Sequence, residues 1–440
     1  PAVLCVEFYN EQDLGFYNLQ KKQNKEIING IRDQFIDELN HTYGKGKFDE
    51  KQVVVSPGED EPYATDWAKL ARKRLTESHR FCEQTVRKLG YRGMVTQANC
   101  VQRLYISEVA YQTLSCRSLN VYFCHPWGYT KPGATCPQHS SAASGVDYLR
   151  QACAVRFPDR PFIISEYNHG FWNRFEFEHF ISPAYAAFQK FSGITMHENA
   201  VVLDPKPNRD FDSFPTDRAS EFIGVLLFSR RDVKPAQNLV AIEYPQSFLN
   251  EGGNLATKAN NDQTYVALMT GLGINFPGIE RYSCLQSKGW QPKLRMPPVG
   301  GSRDIVNEWF AQTVEDHRGL FDKQKCIEML RQKNILPEDN LSNADRGIYQ
   351  SETGELLVDT KRKIFKINTP KTVAITSPEL IRGSVSVLEH AFHTIPAATA
   401  LTSLDNAALG QSKHMMLVLS TIPANTGMEL SADRQRMINP

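Results

Sequence analysis

The chain has 440 residues, a hydrophobic fraction of 41%, and 50 Lys+Arg set against 49 Asp+Glu. That length suggests about two or three domains with full-sized cores. The charges cancel and are interspersed, which excludes the segmental basic excess of a nucleic-acid or membrane-surface binder and leaves a neutral partner such as a sugar.

No apolar run reaches the roughly 18 residues of a membrane-spanning helix, and no secretory signal is read. Nine cysteines are scattered without Cys-x-x-Cys spacing. They are read as mostly free buried thiols, with Cys116, Cys124, Cys136 and Cys153 the densest group for any disulfide. Asn-x-Ser/Thr sequons at Asn40 and Asn340 lean slightly toward an extracellular, cell-surface or periplasmic setting, with the cytoplasm as the alternative.

In chain order, Val3 to Val6 reads as a buried strand. Ile27, Ile28, Ile31, Phe35 and Leu39 then fall on one helix face, and Trp67, Leu70, Ala71, Cys82, Val86 and Leu89 on another, with Gly90 as a helix stop. Four further strands are predicted at Gly93–Thr96, Leu119–Phe123, Pro161–Ser165 and Gly193–Met196, with a helix at Pro183–Phe191 before the last. Strands alternating with helices imply parallel pairing with crossover helices, and nearly continuous apolarity implies strands covered on both faces.

Each apolar run ends in a polar cluster: Asn10-Glu11, Gln97-Ala98-Asn99, His125-Pro126-Trp127, Glu166-Tyr167-Asn168 and His197-Glu198-Asn199. In α/β barrels the loops after the strands hold the active site, so such clusters read as chemistry.

From about Val233 the texture changes. Val240–Ile242 is a predicted strand, and Tyr265–Leu272 and Asn307–Thr313 are predicted helices of a smaller α/β unit spanning 233–336. Residues 337–440 read as a β-sandwich-like domain. Its predicted strands include Glu355–Val358 and Ile364–Ile367 flanking a polar turn at Asp359–Lys361, then Val373–Ile375 and Met416–Leu419. No internal repeat stands out.

Hydrolysis of a glycosidic bond needs two carboxyl groups flanking it, one held protonated to serve the leaving oxygen and one ionised to attack carbon. Glu11 and Glu166 lie 166 − 11 = 155 residues apart. Only a fold that returns strand ends to one rim brings them together. Either glutamate alone is more simply a solvated loop carboxylate or a helix-dipole partner. Their joint context carries more.

Val6-Glu7-Phe8-Tyr9-Asn10-Glu11 resembles the Asn-Glu ending of the fourth barrel strand in clan A glycoside hydrolases. Ile163-Ile164-Ser165-Glu166-Tyr167-Asn168 resembles the seventh strand, which ends in the nucleophile. Nearly the whole chain is similar to large bacterial members of this clan, related to the cellulase and β-galactosidase groups. The similarity includes Arg231-Asp232-Val233-Lys234-Pro235, Thr353-Gly354-Glu355-Leu356 and Asn425-Thr426-Gly427-Met428.

The resemblance implies a (β/α)8 barrel whose strands four to eight lie in residues 1–232, with Glu11 as acid/base and Glu166 as nucleophile of a retaining mechanism. It implies that Asn10 binds the sugar 2-hydroxyl and that His125 or Tyr122 orients Glu166. Trp127 and Trp172 become stacking platforms for sugar rings, with ordinary loop packing as the plainer reading of each. Asn99, His169, His197 and Glu198 are rim residues.

The pattern departs from the clan at Ile194–Glu198, where many members end the eighth strand in tryptophan. Barrel strands one to three are not found. The chain is therefore expected to be a middle segment of a longer or processed protein, partnered by a companion chain that supplies them.

No metal or cofactor is expected. His125, His139, His169, His179 and His197 lack paired ligand spacing. Gly271-Leu272-Gly273 with Gly278 is not a dinucleotide fingerprint, and no Gly-x-Ser-x-Gly elbow occurs. The rival reading is a non-catalytic carbohydrate-binding or structural protein on the same barrel. Sugar identity and endo or exo action are not legible.

Overall fold

A computed structural model describes residues 3–11, 25–55, 57, 61–99, 110–128, 131–169, 172–197, 215–244, 260–278, 290–298, 311–312, 320–378, 382–392, 395–422, 424 and 427–439. It is a mixed α/β structure with parallel sheets followed by an antiparallel sheet of six strands.

The N-terminal unit contains β1 (Cys5–Tyr9), α1 (Lys25–Tyr43), α2 (Ala64–Lys88), β2 (Met94–Ala98), β3 (Arg117–Phe123), α3 (Asp147–Cys153), β4 (Phe162–His169), α4 (Ile181–Phe188), β5 (Gly193–Met196) and α5 (Pro215–Phe228). The five predicted strands are present, within a few residues at each end. β1 pairs parallel to β2, and β3, β4 and β5 form a second parallel sheet. The Cys116 N–H donates to the Val95 carbonyl at 3.2 Å and the Asn120 N–H to the Asn99 carbonyl at 2.9 Å, joining the two sheets along one course. Among the described residues no barrel closes, and β1 and β5 each have one strand neighbour.

The strands are two-faced rather than apolar throughout. Leu119, Val121 and Phe123 of β3 and Phe162, Ile164 and Tyr167 of β4 are buried in the main core together with side chains of α3 and α4. Each such apolar side chain contributes roughly 1.5–3 kcal/mol. The opposite face carries Ser118, Asn120, Tyr122, Ser165 and Glu166; Ser165 bonds Asn120, Tyr122 bonds Glu166, and Ser118 bonds Glu7 of β1.

A third parallel sheet, of order β7-β6-β8, is built from β6 (Leu239–Glu243), β7 (Gly271–Asn275) and β8 (Leu294–Met296). The helix predicted over 265–272 is confined to α6 (Val266–Met269) after a short 3-10 turn. Thr270 turns extended at φ −151° and ψ 177°, and the chain enters β7. Close packing accounts for the glycines there: a Cβ at Gly273 would lie 2.7 Å from Pro158 Cγ. Of the helix predicted over 307–313, Ala311–Gln312 form β9, paired antiparallel with β10 (Leu320–Phe321). The rest of that stretch lies outside the described residues. The helix α7 (Lys323–Gln332) follows, its start capped by Asp322.

The C-terminal sheet has the order β11-β12-β13-β14-β17-β18, from β11 (Ile348–Gln350), β12 (Leu356–Asp359), β13 (Ile364–Asn368), β14 (Thr372–Ser377), β17 (Ala397–Ser403) and β18 (Met415–Thr421). The predicted hairpin around 359–361 is β12–β13. The described strands make one six-stranded sheet rather than two full sheets. Leu356, Val358, Phe365 and Ile367 join the main core. The hairpin of β15 (Arg382–Val385) and β16 (Leu388–Ala391) packs with Ile364, Val373 and Ile375 in a separate small core.

Two phrases carried by the family resemblance meet at one joint. The Lys234 N–H donates to Glu355 Oε2 at 2.7 Å, and Thr372 Oγ1 donates to the buried Asp232 Oδ2 at 2.6 Å. The Asn425-Thr426 part of the third phrase lies outside the described residues. The seven cysteines among them are free thiols. The Asn340 amide is buried and donates to the carbonyls of Gln350 and Ser351 at 3.2 Å each, so the folded chain does not present it as a glycosylation acceptor.

Candidate active site

Glu11 follows β1 in the left-handed region at φ 52°. For a residue with a Cβ that conformation costs roughly 1–3 kcal/mol and persists only where neighbours enforce it. Two asparagines do so. The Glu11 N–H donates to Asn99 Oδ1 at 2.7 Å, and Glu11 Oε1 accepts from Asn120 Nδ2 at 3.0 Å. Asn99 and Asn120 are both buried, at 3% and 0% exposure, so neither amide has solvent as an alternative partner.

Glu166 owes its direction to a β-bulge. Across β3–β4 the register runs Leu119↔Ile164 and then Asn120↔Glu166. Across β4–β5 it runs Ile164↔Ile194 and then Tyr167↔Met196. β4 therefore carries one extra residue against both neighbours. Ile164 and Tyr167, three apart, both enter the core, while Ser165 and Glu166 turn together to the polar face. Bulges recur where a side chain must be re-aimed beside a site. Ser165 Oγ donates to Asn120 Oδ1 at 2.8 Å. Asn120 thus holds Glu11 with one end of its amide and the bulge with the other.

Tyr122 Oη donates to Glu166 Oε2, and His197 Nε2 stands 3.8 Å from the same oxygen. The Tyr122 ring meets His125 edge-on at 5.0 Å and His197 at 6.0 Å between centroids. His125 bonds through Nδ1 to the Pro126 carbonyl at 2.9 Å. Burial holds the His125 imidazole below its ordinary range, against the opposing pull of that carbonyl and of Glu11. Its interaction with both Glu11 and His197 ties the two strand ends into one cluster.

Of the residues singled out from sequence, Glu11, Asn99, Tyr122, His125, Glu166 and His197 converge here, and Asn10 lies exposed beside Glu11. Trp127 stands on the rim, 80% exposed, its backbone paired with Thr135. Trp172 is corrected. It is fully buried in a satellite core with Ala134, Cys136 and Met437, so it has no face to offer a sugar. The side chain of His169, and Glu198 altogether, lie outside the described residues.

Sequence reasoning missed Glu7, Ser118, Asn120 and Ser165. Ser118 Oγ donates to Glu7 Oε1, and Asn99 Nδ2 donates to Glu7 Oε2 at 3.0 Å. The available signal was a polar residue at alternate positions of an otherwise apolar strand, Asn120 in Leu-Asn-Val above all.

The arrangement supplies a carboxyl group just after β1 and another at the bulge of β4, a phenol bonded to the second, and two imidazoles beside them. Such a set suits acid/base and nucleophilic work on one small substrate. No protein-family profile, curated protein sequence or solved structure matches the chain.

Proposed function

We propose that this chain carries the catalytic centre of a retaining glycoside hydrolase acting on a β-linked glycan. Glu166 attacks the anomeric carbon. Glu11 protonates the leaving oxygen, then removes a proton from the water that resolves the glycosyl-enzyme. Tyr122, bonded to Glu166, orients the nucleophile and stabilises its anionic form. Trp127 offers an exposed ring for stacking a sugar, and Asn10 and His197 line the rim.

The observation that carries this reading is the Asn120 bridge. It is the ladder partner of Glu166 and holds the Glu11 carboxylate, which supports reading the two acids as one site despite their distance along the chain. The five parallel strands are read as strands four to eight of a (β/α)8 barrel. The one-neighbour strands β1 and β5 are then where three further strands, on a companion chain or another part of the protein, complete it.

The test is hydrolysis of aryl β-glycosides together with labelling by a 2-deoxy-2-fluoro glycoside. A stable adduct on Glu166, absent in Glu166→Gln, is expected. A protein inert on every β-glycoside tried, whose Glu11→Gln and Glu166→Gln forms bind glycans as the parent does, is instead a non-catalytic carbohydrate-binding scaffold.

A further inference from the structure

The catalytic reading leaves Glu7, a carboxylate in the polar interior of the sheet, without a role. Val6 and Phe8 alternate with it along β1, and Phe8 packs against the main core, so Glu7 faces the same side as the site. Burial pushes its carboxyl up. The Ser118 bond, Arg117 and the Asn99 bond pull it down, and the nearby Glu166 pushes it up again. Burying such a group costs stability unless its oxygens are bonded. Both are: Oε1 accepts from Ser118 and Oε2 from Asn99 Nδ2 at 3.0 Å.

The Asn99 bond has a consequence two bonds away. A side-chain amide has a donor end and an acceptor end, and its network decides which way each points. With Nδ2 committed to Glu7, Oδ1 is turned to the Glu11 N–H at 2.7 Å. Flipped, Asn99 would set an N–H against that N–H. The left-handed turn at Glu11 would then lose one of its two restraints.

We infer that Glu7 is a positioning residue for the acid/base, acting through Asn99: it fixes the amide orientation that clamps the backbone of Glu11. The inference rests on the glycosidase reading for its kinetic consequence, though the clamp itself does not.

Glu7→Leu and Glu7→Gln separate the effect, since leucine removes the acceptor and glutamine keeps one. In the full chain, Glu7→Leu should lower kcat about 10-fold or more on glycosides with poor leaving groups, about one hydrogen bond to a charged group. Its KM and its rate on activated aryl glycosides should stay near the parent's. Glu7→Gln should restore the rate to within about threefold. Independently of activity, hydrogen exchange at the Glu11 amide should speed up in Glu7→Leu and remain slow in Glu7→Gln. Asn99→Ala should speed exchange at the Glu11 amide as Glu7→Leu does, and that readout carries the test if Glu7→Leu does not fold.

Equal losses on both substrate types, or parent-like protection of the Glu11 amide in both Glu7→Leu and Asn99→Ala, overturn the inference. If the parent hydrolyses no glycoside but the exchange pattern holds, the clamp stands and only the glycosidase reading falls.

Discussion

Asn120 Nδ2 donates a 3.0 Å hydrogen bond to Glu11 Oε1 across 109 residues of chain, from a side chain with no exposed surface. Its other end accepts Ser165 Oγ at 2.8 Å, so a single amide spans the end of β1 and the bulge of β4. Asn120→Ala should strand both partners and cost about 1–3 kcal/mol of stability in urea unfolding. If Glu11 is the acid, as proposed, loss of activity on poor leaving groups should exceed loss on activated ones. A parent-like midpoint would mean that the bridge contributes nothing.

Tyr122→Phe keeps the ring between His125 and His197 but removes the donor to Glu166. Hydrogen bonds to charged groups contribute about 1.5–3 kcal/mol, so kcat should fall about 10- to 100-fold. Stability should change little. Pre-steady-state measurement of glycosylation should locate the loss in that step rather than in substrate binding.

The two tryptophans should separate cleanly. Trp127→Ala at an 80% exposed position should leave stability within about 0.5 kcal/mol of the parent, while glycan affinity falls about 3- to 10-fold. Trp172→Ala empties a fully buried site and should cost about 3–5 kcal/mol. Thermal unfolding and glycan titration of both variants check this directly.

Glu178 is fully buried, accepting from Ser140 Oγ at 2.7 Å and the Ala142 N–H at 3.2 Å. Burial pushes its carboxyl up to about 7 from an ordinary 4.5. The folded chain therefore holds a proton that the unfolded chain has released between those values. Its contribution to stability is present below pH 4.5 and lost as pH rises to about 7, on the order of 3 kcal/mol. Glu178→Gln should flatten that part of the stability–pH curve.

His79 has the opposite sign. Burial lowers its imidazole to about 4 from 6.5, and Nδ1 bonds to the Ala110 carbonyl at 3.1 Å. A depressed value in the folded state gives stability that is present above pH 6.5 and lost as pH falls toward 4. His79→Asn, which keeps a donor for Ala110, should weaken the acid-side loss. Chemical denaturation at half-unit pH steps reads both residues, and their opposed slopes mean each is seen only against its own variant.

Local patterning made much of this chain legible. Alternating and continuous apolar runs located the five N-terminal strands and the β12–β13 hairpin, because strand burial and turn composition act over a few residues. The same patterning placed Glu11 just after β1, whereas Glu166, expected at a strand end, lies inside β4 at its bulge. Patterning also misread 265–272 as one helix, where Gly271 opens a strand whose neighbours leave no room for a Cβ.

Direction, burial and partnership were decided only by tertiary structure. The extra residue at Ser165 turns Glu166 to the polar face, and it exists only relative to the registers of β3 and β5. Trp127 and Trp172 are the same residue type in neighbouring loops, yet one is exposed on the rim and the other sealed in a core. The Glu7–Asn99–Glu11 clamp joins side chains up to 92 residues apart. Periodicity fixes where a strand runs, but which face a given side chain presents depends on the chain that pairs beside it.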